Sequence, residues 1–225
     1  MRLVLLPGLD GTGELFAPFT DALAGVDVQV ISYPPDRPMN YAGHEAHVRE
    51  RLPKSEDYVL LAESFSGPVG ISIAASAPAN LRGLILCCSF ASNPLPVFGP
   101  LSRLIGFSPA VKIPNAWAAP WLYAGHATSR LRELHAKAMS IVSATAMRAR
   151  VAALLAVDFT TKLRDVKAPL LYLLATEDRL VPRSAFEKIR ELRPETEMRE
   201  FNAPHFLLQS APLPVSEVVR AFLLR

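Results

Sequence analysis

Cysteine, long apolar runs and strong net charge are what this sequence has least of. Its 225 residues include two cysteines, Cys87 and Cys88. Adjacent strand residues point to opposite faces, so these two are poorly placed to pair and read as small core residues. Nothing calls for an oxidising compartment. No apolar run approaches the length of a membrane span. The start, Met1-Arg2-Leu3-Val4-Leu5-Leu6, is broken by Pro7-Gly8 too early for a signal peptide. A soluble, cytoplasmic protein is the expectation. The formal charge is only +3, and the dispersed basic residues are not interleaved with aromatics, which argues against nucleic acid as a partner. Internal repeats and low-complexity segments are also missing.

What the chain does have is apolar content and proline. Half the residues are hydrophobic, and twenty are proline. Length and composition fit one domain, 1–225, around a single substantial core, with buried parallel strands reading as continuous apolar runs. Strands are expected at 3–6, 26–32, 58–61, 84–88 and 170–174, with a short edge strand at 197–201. Helices are expected at 14–24, 40–52, 67–77, 183–192 and 215–224. This alternation implies right-handed βαβ units, a mainly parallel sheet and helices on both faces. Residues 93–150 break the rhythm. They hold six of the prolines up to Pro120, no obvious strand, and helical stretches near 129–143 and 145–157. The segment is too long for a crossover and reads as an inserted helical cap. Phe98, Phe107, Trp117 and Trp121 would give it an apolar underside, as core or as an acyl-binding wall.

One stretch organises the rest: Tyr58-Val59-Leu60-Leu61-Ala62-Glu63-Ser64-Phe65-Ser66-Gly67. An apolar strand runs into a serine between small residues, and a helix follows, which is the context of a nucleophile elbow. Small neighbours are needed because the turn drives the serine toward positive φ while strand and helix pass close together. Ligands in open α/β sheets bind beyond the carboxyl ends of strands. Two complementary groups fall at other such ends, Asp178 and His205. Imidazole can take the serine proton, and a carboxylate can orient the imidazole. Each alone reads as a turn residue or a structural histidine; the joint placement, in the order Ser, Asp, His, carries the inference. An oxyanion needs N–H donors, here expected from Phe65, after the serine, and from Leu9, in the glycine-rich loop after the first strand. The glycines there run G-x-x-G-x-G, and Asp36 is not at the end of the second strand, so a dinucleotide-binding loop is disfavoured.

Four motifs carry a resemblance. They are Leu6-Pro7-Gly8-Leu9-Asp10-Gly11-Thr12-Gly13, Ala62-Glu63-Ser64-Phe65-Ser66-Gly67, Thr176-Glu177-Asp178-Arg179-Leu180-Val181-Pro182 and Ala203-Pro204-His205-Phe206-Leu207-Leu208-Gln209. The chain resembles the α/β-hydrolase superfamily, specifically its small cofactor-free serine hydrolases with a helical cap. It departs in having Pro7 where many members carry histidine, and Ala62 and Ser66 where the elbow usually carries glycines. The resemblance implies a sheet of about six strands, starting at what the family counts as its third. It also implies catalysis by Ser64, His205 and Asp178, the amides of Leu9 and Phe65 as oxyanion donors, and neither metal nor organic cofactor.

The expected activity is cleavage of a carboxylic ester or thioester of a small-to-medium apolar acyl group, the substrate being a small molecule. An acyltransferase with the same triad, or a ligand-binding protein on the same scaffold, stays open, as does a homodimer formed through the cap. His44, Glu45 and His47 lack metal-site spacing and are expected on a solvated helix face. His126 and His135 are expected at the surface, and Asp158 and Asp165 are spare acids.

Overall fold

The structure is a computed structural model that describes residues 1–96 and 121–225. Strands β1 (Arg2–Leu6), β2 (Val28–Val30), β3 (Tyr58–Glu63), β4 (Leu81–Cys87), β5 (Leu170–Ala175) and β6 (Glu197–Phe201) form one sheet in the order β2-β1-β3-β4-β5-β6. Every neighbouring pair is parallel, as the apolar runs predict.

The central strands β1, β3, β4 and β5 are buried on both faces, and a period of two sorts their side chains. Val4, Leu6, Leu60, Ala62, Leu84, Leu86, Tyr172 and Leu174 face one core. It is covered by α2 (Tyr41–Arg51), α3 (Gly67–Ala75), α6 (Thr160–Asp165) and α7 (Arg183–Leu192) through Val48, Val69, Ile73, Leu163, Phe186 and Ile189. Leu3, Leu5, Val59, Leu61, Ile85, Leu171 and Leu173 face the other core. There α1 (Ala17–Ala22), α8 (Leu207–Ser210) and α9 (Pro212–Leu223) supply Phe19, Leu207, Val215, Val219 and Phe222. The continuous apolar strands are thus two interleaved faces.

Expected and observed elements differ mainly at their ends. The helix expected over 14–24 is a 3-10 turn, Glu14–Phe16, followed by α1. Pro18 sits in the first turn of α1, where the missing N–H costs nothing. Helix α6 was not foreseen; Asp158 starts it by accepting from Thr160 N and Oγ1 at 3.0 and 2.6 Å.

Between β4 and β5 the chain carries α4 (Ser129–Ile141) and α5 (Ala144–Leu155). Thr128 and Ser143 cap them by accepting from Leu131 N and Ala146 N. Residues 91–93 and 157–159 meet where this stretch leaves and rejoins the sheet, through Asn93 N to Val157 O (3.0 Å) and Phe159 N to Ala91 O (2.8 Å). Phe98, Phe107 and Trp117 lie outside the described residues; Trp121 is exposed. Among the described residues no single helix is long and apolar enough to cross a membrane, and α4 with α5 reaches that length only across a 102° bend.

Packing of α9 on the sheet is set at Gly83, where a Cβ would lie 2.6 Å from Phe222 Cε1. Gly83→Ala should cost about 1–3 kcal/mol by overpacking, and adding Phe222→Leu should recover part of it. A urea-unfolding double-mutant cycle measures this; strictly additive losses would show that the ring does not set the limit.

Candidate active site

Ser64 follows β3 directly and has φ 47°, a left-handed backbone that is strained for a residue with a Cβ. Close approach holds it there. A Cβ on Gly67 would fall 1.7 Å from Ser89 Oγ, so α3 starts hard against the exit of β4. A Cβ on Gly70 would meet the Ala62 methyl at 2.9 Å. Ala62 is tolerated in the elbow because the facing position has no side chain.

Hydroxyls then pin the turn. Ser89 Oγ donates to Ser64 O at 2.6 Å, and the Tyr41 hydroxyl donates to Phe65 O at 3.1 Å. Ser66 Oγ donates to Pro7 O, tying the elbow to the loop after β1. The Tyr33 hydroxyl lies 2.6 Å from Ser66 Oγ. It must be the donor there, because the single Ser66 proton is already used. Ser66 therefore does what a glycine could not.

Ser64, Asp178 and His205 converge. Ser64 Oγ lies 3.0 Å from His205 Nε2, and His205 Nδ1 lies 2.7 Å from Asp178 Oδ2. A carboxylate only accepts, so Nδ1 carries the proton and Nε2 accepts from the serine hydroxyl. The other Asp178 oxygen, Oδ1, accepts from Leu180 N and Val181 N at 2.8 and 2.9 Å. Asp178 thus closes its own turn with one oxygen and faces His205 with the other. Burial raises the Asp178 pKa, but His205 and the two amides outweigh it and hold it below the ordinary value. Burial likewise disfavours imidazolium, yet the Asp178 carboxylate outweighs it and holds the His205 pKa above 6.5.

Leu9 is the second residue of a turn closed by Gly11 N to Gly8 O at 3.0 Å, and Phe65 is the second residue of the 3-10 turn at the elbow. N–H groups at both positions are orphans of their turns, and neither finds a backbone acceptor among the described residues. The arrangement offers a hydroxyl, a base aligned with it and two N–H groups with no backbone acceptor among the described residues.

Several neighbours were not legible as site residues. Glu63 is buried one residue before the serine. Burial pushes its carboxyl up to about 7, opposed by Gln209 and the Gly8 N–H; Gln209 Nε2 donates to Glu63 Oε1 at 3.0 Å. An acid closing an otherwise apolar strand was the available signal. Arg150, from α5, is fully buried against the loop after β1. Its signal was faint: it lies four residues after Ala146 on the buried face of that helix.

Cys88, read as core, has φ 46°, and its sulfur lies within 4.8 Å of ligand atoms of Asp178 and His205. These three are the converging metal-type donors among the described residues. The Cys88 thiol is held well above its ordinary pKa by its hydrogen bond with Cys87 and by burial.

Two histidine expectations are corrected. His44 is fully buried, edge-on to Tyr33 and Phe65 at centroid distances of 4.3 and 5.2 Å. Burial, then Arg150, lowers its pKa to about 3, so it is a neutral aromatic packing residue. His135 is buried as well, its Nδ1 2.7 Å from the Tyr123 hydroxyl. His126 is partly exposed as expected and meets Glu177 at 3.2 Å.

Residues 3–218 match the alpha/beta hydrolase family. Solved structures add the fold. A lipase-esterase related protein from Clostridium acetobutylicum ATCC 824 superposes with a TM-score of 0.82 at 15% identity, covering 98% of this chain and 93% of its own. An enol-lactonase from Burkholderia xenovorans LB400 gives 0.81 at 17%, with 100% and 91% covered. MenH from S. aureus gives 0.72 at 15%, with 99% and 93% covered. Among curated proteins no sequence match was found.

Folding carries Glu63 from 4.5 to about 7, so between those values the native state binds the extra proton. The stability tied to this group is fully present below pH 4.5 and is lost as pH rises through about 7. Glu63→Gln removes that dependence, and the new amide can donate to Gln209 Oε1, which has no partner among the described residues, after a flip of the Gln209 amide. Stability of wild type minus variant, from urea unfolding at a series of pH values, should fall as pH rises across this window. A constant difference would mean that Glu63 is ionised throughout.

Proposed function

The chain belongs to the alpha/beta hydrolase family, and from that premise we propose that it is a serine hydrolase of carboxylic esters or thioesters with a small-to-medium apolar acyl group. One observation carries the reading: the unbroken line Ser64 Oγ, His205 Nε2, His205 Nδ1, Asp178 Oδ2, anchored on a serine with φ 47°.

Ser64 attacks the acyl carbon as His205 takes its proton, giving a tetrahedral intermediate whose oxyanion lies between the amides of Leu9 and Phe65. His205 passes that proton to the leaving alcohol or thiol, and the acyl group stays on Ser64. Water, deprotonated by His205, then attacks the acyl carbon, and His205 returns that proton to Ser64 Oγ as the acid leaves. Asp178 keeps His205 in the required tautomer and stabilises the imidazolium. The chemistry needs no metal or organic cofactor.

An apolar acyl group is supported by the cluster of Leu15, Tyr123, Leu131 and Phe206, whose Phe206 ring lies 6.3 Å from the His205 ring. We read 93–150 as a cap inserted in the hydrolase domain. The meeting of residues 91–93 with 157–159 supports this.

A fluorophosphonate probe should label wild type at Ser64 and fail on Ser64→Ala and His205→Ala, with kcat on p-nitrophenyl and thioester substrates falling at least about 10⁴-fold. Folded wild type that resists labelling would sink the serine-nucleophile reading and favour a ligand-binding role. The acid limb of kcat/KM should have its midpoint above 6.5, because Asp178 raises the His205 pKa. Glu63→Gln should move the midpoint down, since Glu63 also raises it. A rate flat between pH about 5 and 8 would exclude His205 as the base.

A further inference from the structure

Arg150 is the largest fully buried side chain among the described residues, and a buried guanidinium requires partners. Its partners here are backbone carbonyls. Nη1 donates to Leu9 O at 3.1 Å and to Asp10 O, and Nη2 donates to Pro34 O at 3.0 Å. The loop is shaped to admit it. Gly11 has φ +70°, and a Cβ there would fall 2.6 Å from Arg150 Nη1. The Tyr33 ring lies 5.8 Å from the guanidinium carbon, and the Asp10 carboxylate opposes the loss of charge that burial favours.

These contacts determine where the Leu9 N–H points. In a trans peptide the C=O and the N–H of one unit face opposite ways. Arg150 draws the Asp10 carbonyl to itself, which turns the Gly11 N–H of the same unit toward Gly8 O, its acceptor at 3.0 Å. The Gly8 carbonyl is thereby turned inward to the loop, and the Leu9 N–H of that unit faces the other way. Two peptide planes thus connect the guanidinium to the proposed oxyanion donor. The near end of the loop is fixed independently, by Ser66 on Pro7 O and by Glu63 on the Gly8 N–H.

We propose that Arg150 is a positioning residue that aims the Leu9 N–H at the oxyanion formed on attack by Ser64. The inference rests on the acyl-enzyme reading above. It also makes α5, which lies in the inserted stretch, part of what shapes the oxyanion hole. Lysine cannot substitute: a point donor cannot span three carbonyls as the planar fork does.

The test compares wild type with Arg150→Lys for kcat, KM and inhibition by two ligands. A trifluoromethyl ketone forms a tetrahedral adduct with the serine and places an oxyanion in the hole; the planar product acid does not. Arg150→Lys should lower kcat by about 10²-fold and weaken the ketone by a similar factor. KM and the inhibition constant of the product acid should stay within about twofold, and the pH midpoint should not move. Should that variant not fold, Arg150→Gln, which removes the charge and the planar fork, should show the same pattern with at least as large a loss. Wild-type kcat in the folded variant, or equal weakening of the ketone and the product acid, overturns the proposal. Wild type that the fluorophosphonate probe does not label overturns the acyl-enzyme reading instead, whatever Arg150 does.

Discussion

The site depends on one backbone constraint, the left-handed conformation of Ser64 between β3 and α3. Such a conformation persists only when its surroundings over-determine it. Here the absence of side chains at Gly67 and Gly70 lets α3 lie against β4 and β3, and Ser89 and Tyr41 hold the carbonyls of the turn. With the strand behind it and the helix ahead, the serine has no alternative direction. Its hydroxyl meets an imidazole delivered from beyond β6, which is two strands away in the sheet from β4.

The second layer is electrostatic. Glu63, Asp10, Arg150, Asp178 and His205 are all largely buried around the turn and the loop after β1. Charges in such surroundings are tolerated only when paired or hydrogen-bonded. Asp178 is satisfied by His205 and two amides, Asp10 by Thr12 N and Oγ1 at 2.8 and 2.6 Å, and Arg150 by carbonyls at Nη1 and Nη2, its Nε having no partner among the described residues. Glu63 accepts from Gln209 Nε2 and the Gly8 N–H, but burial outweighs both and raises its proton affinity. Protonation thus follows local surroundings: burial raises Glu63, whereas for Asp178 the His205 charge and the hydrogen bonds outweigh burial.

Strand positions were legible because a strand buried on both faces must be largely apolar, and β1, β3 and β5 are, apart from Arg2 and Glu63 at strand ends. Boundaries slipped where a single residue acts locally, as Pro18 does in splitting the first helical stretch. His44 was misread because a mostly polar helix seemed to leave no buried face for it. In three dimensions it lies beneath Tyr33 and beside Phe65, contacts made across 11 and 21 positions of sequence. Ser89, Tyr41 and Tyr33 looked ordinary for the same reason: their partners are carbonyls and hydroxyls on other strands and loops.

By itself the sequence determined the alternation of buried strands and covering helices, and the placement of Ser64, Asp178 and His205 just past strand ends. Both follow from local pattern, since apolar runs, turn residues and chain order need no partner to be read. Only the tertiary structure decided that these three side chains share one line of hydrogen bonds, that Ser66 ties the elbow to Pro7, and that Arg150 from α5 lies under the loop after β1. Those are distances between residues up to 141 positions apart. They depend on which strands are neighbours and how closely helices approach, and no local pattern encodes that.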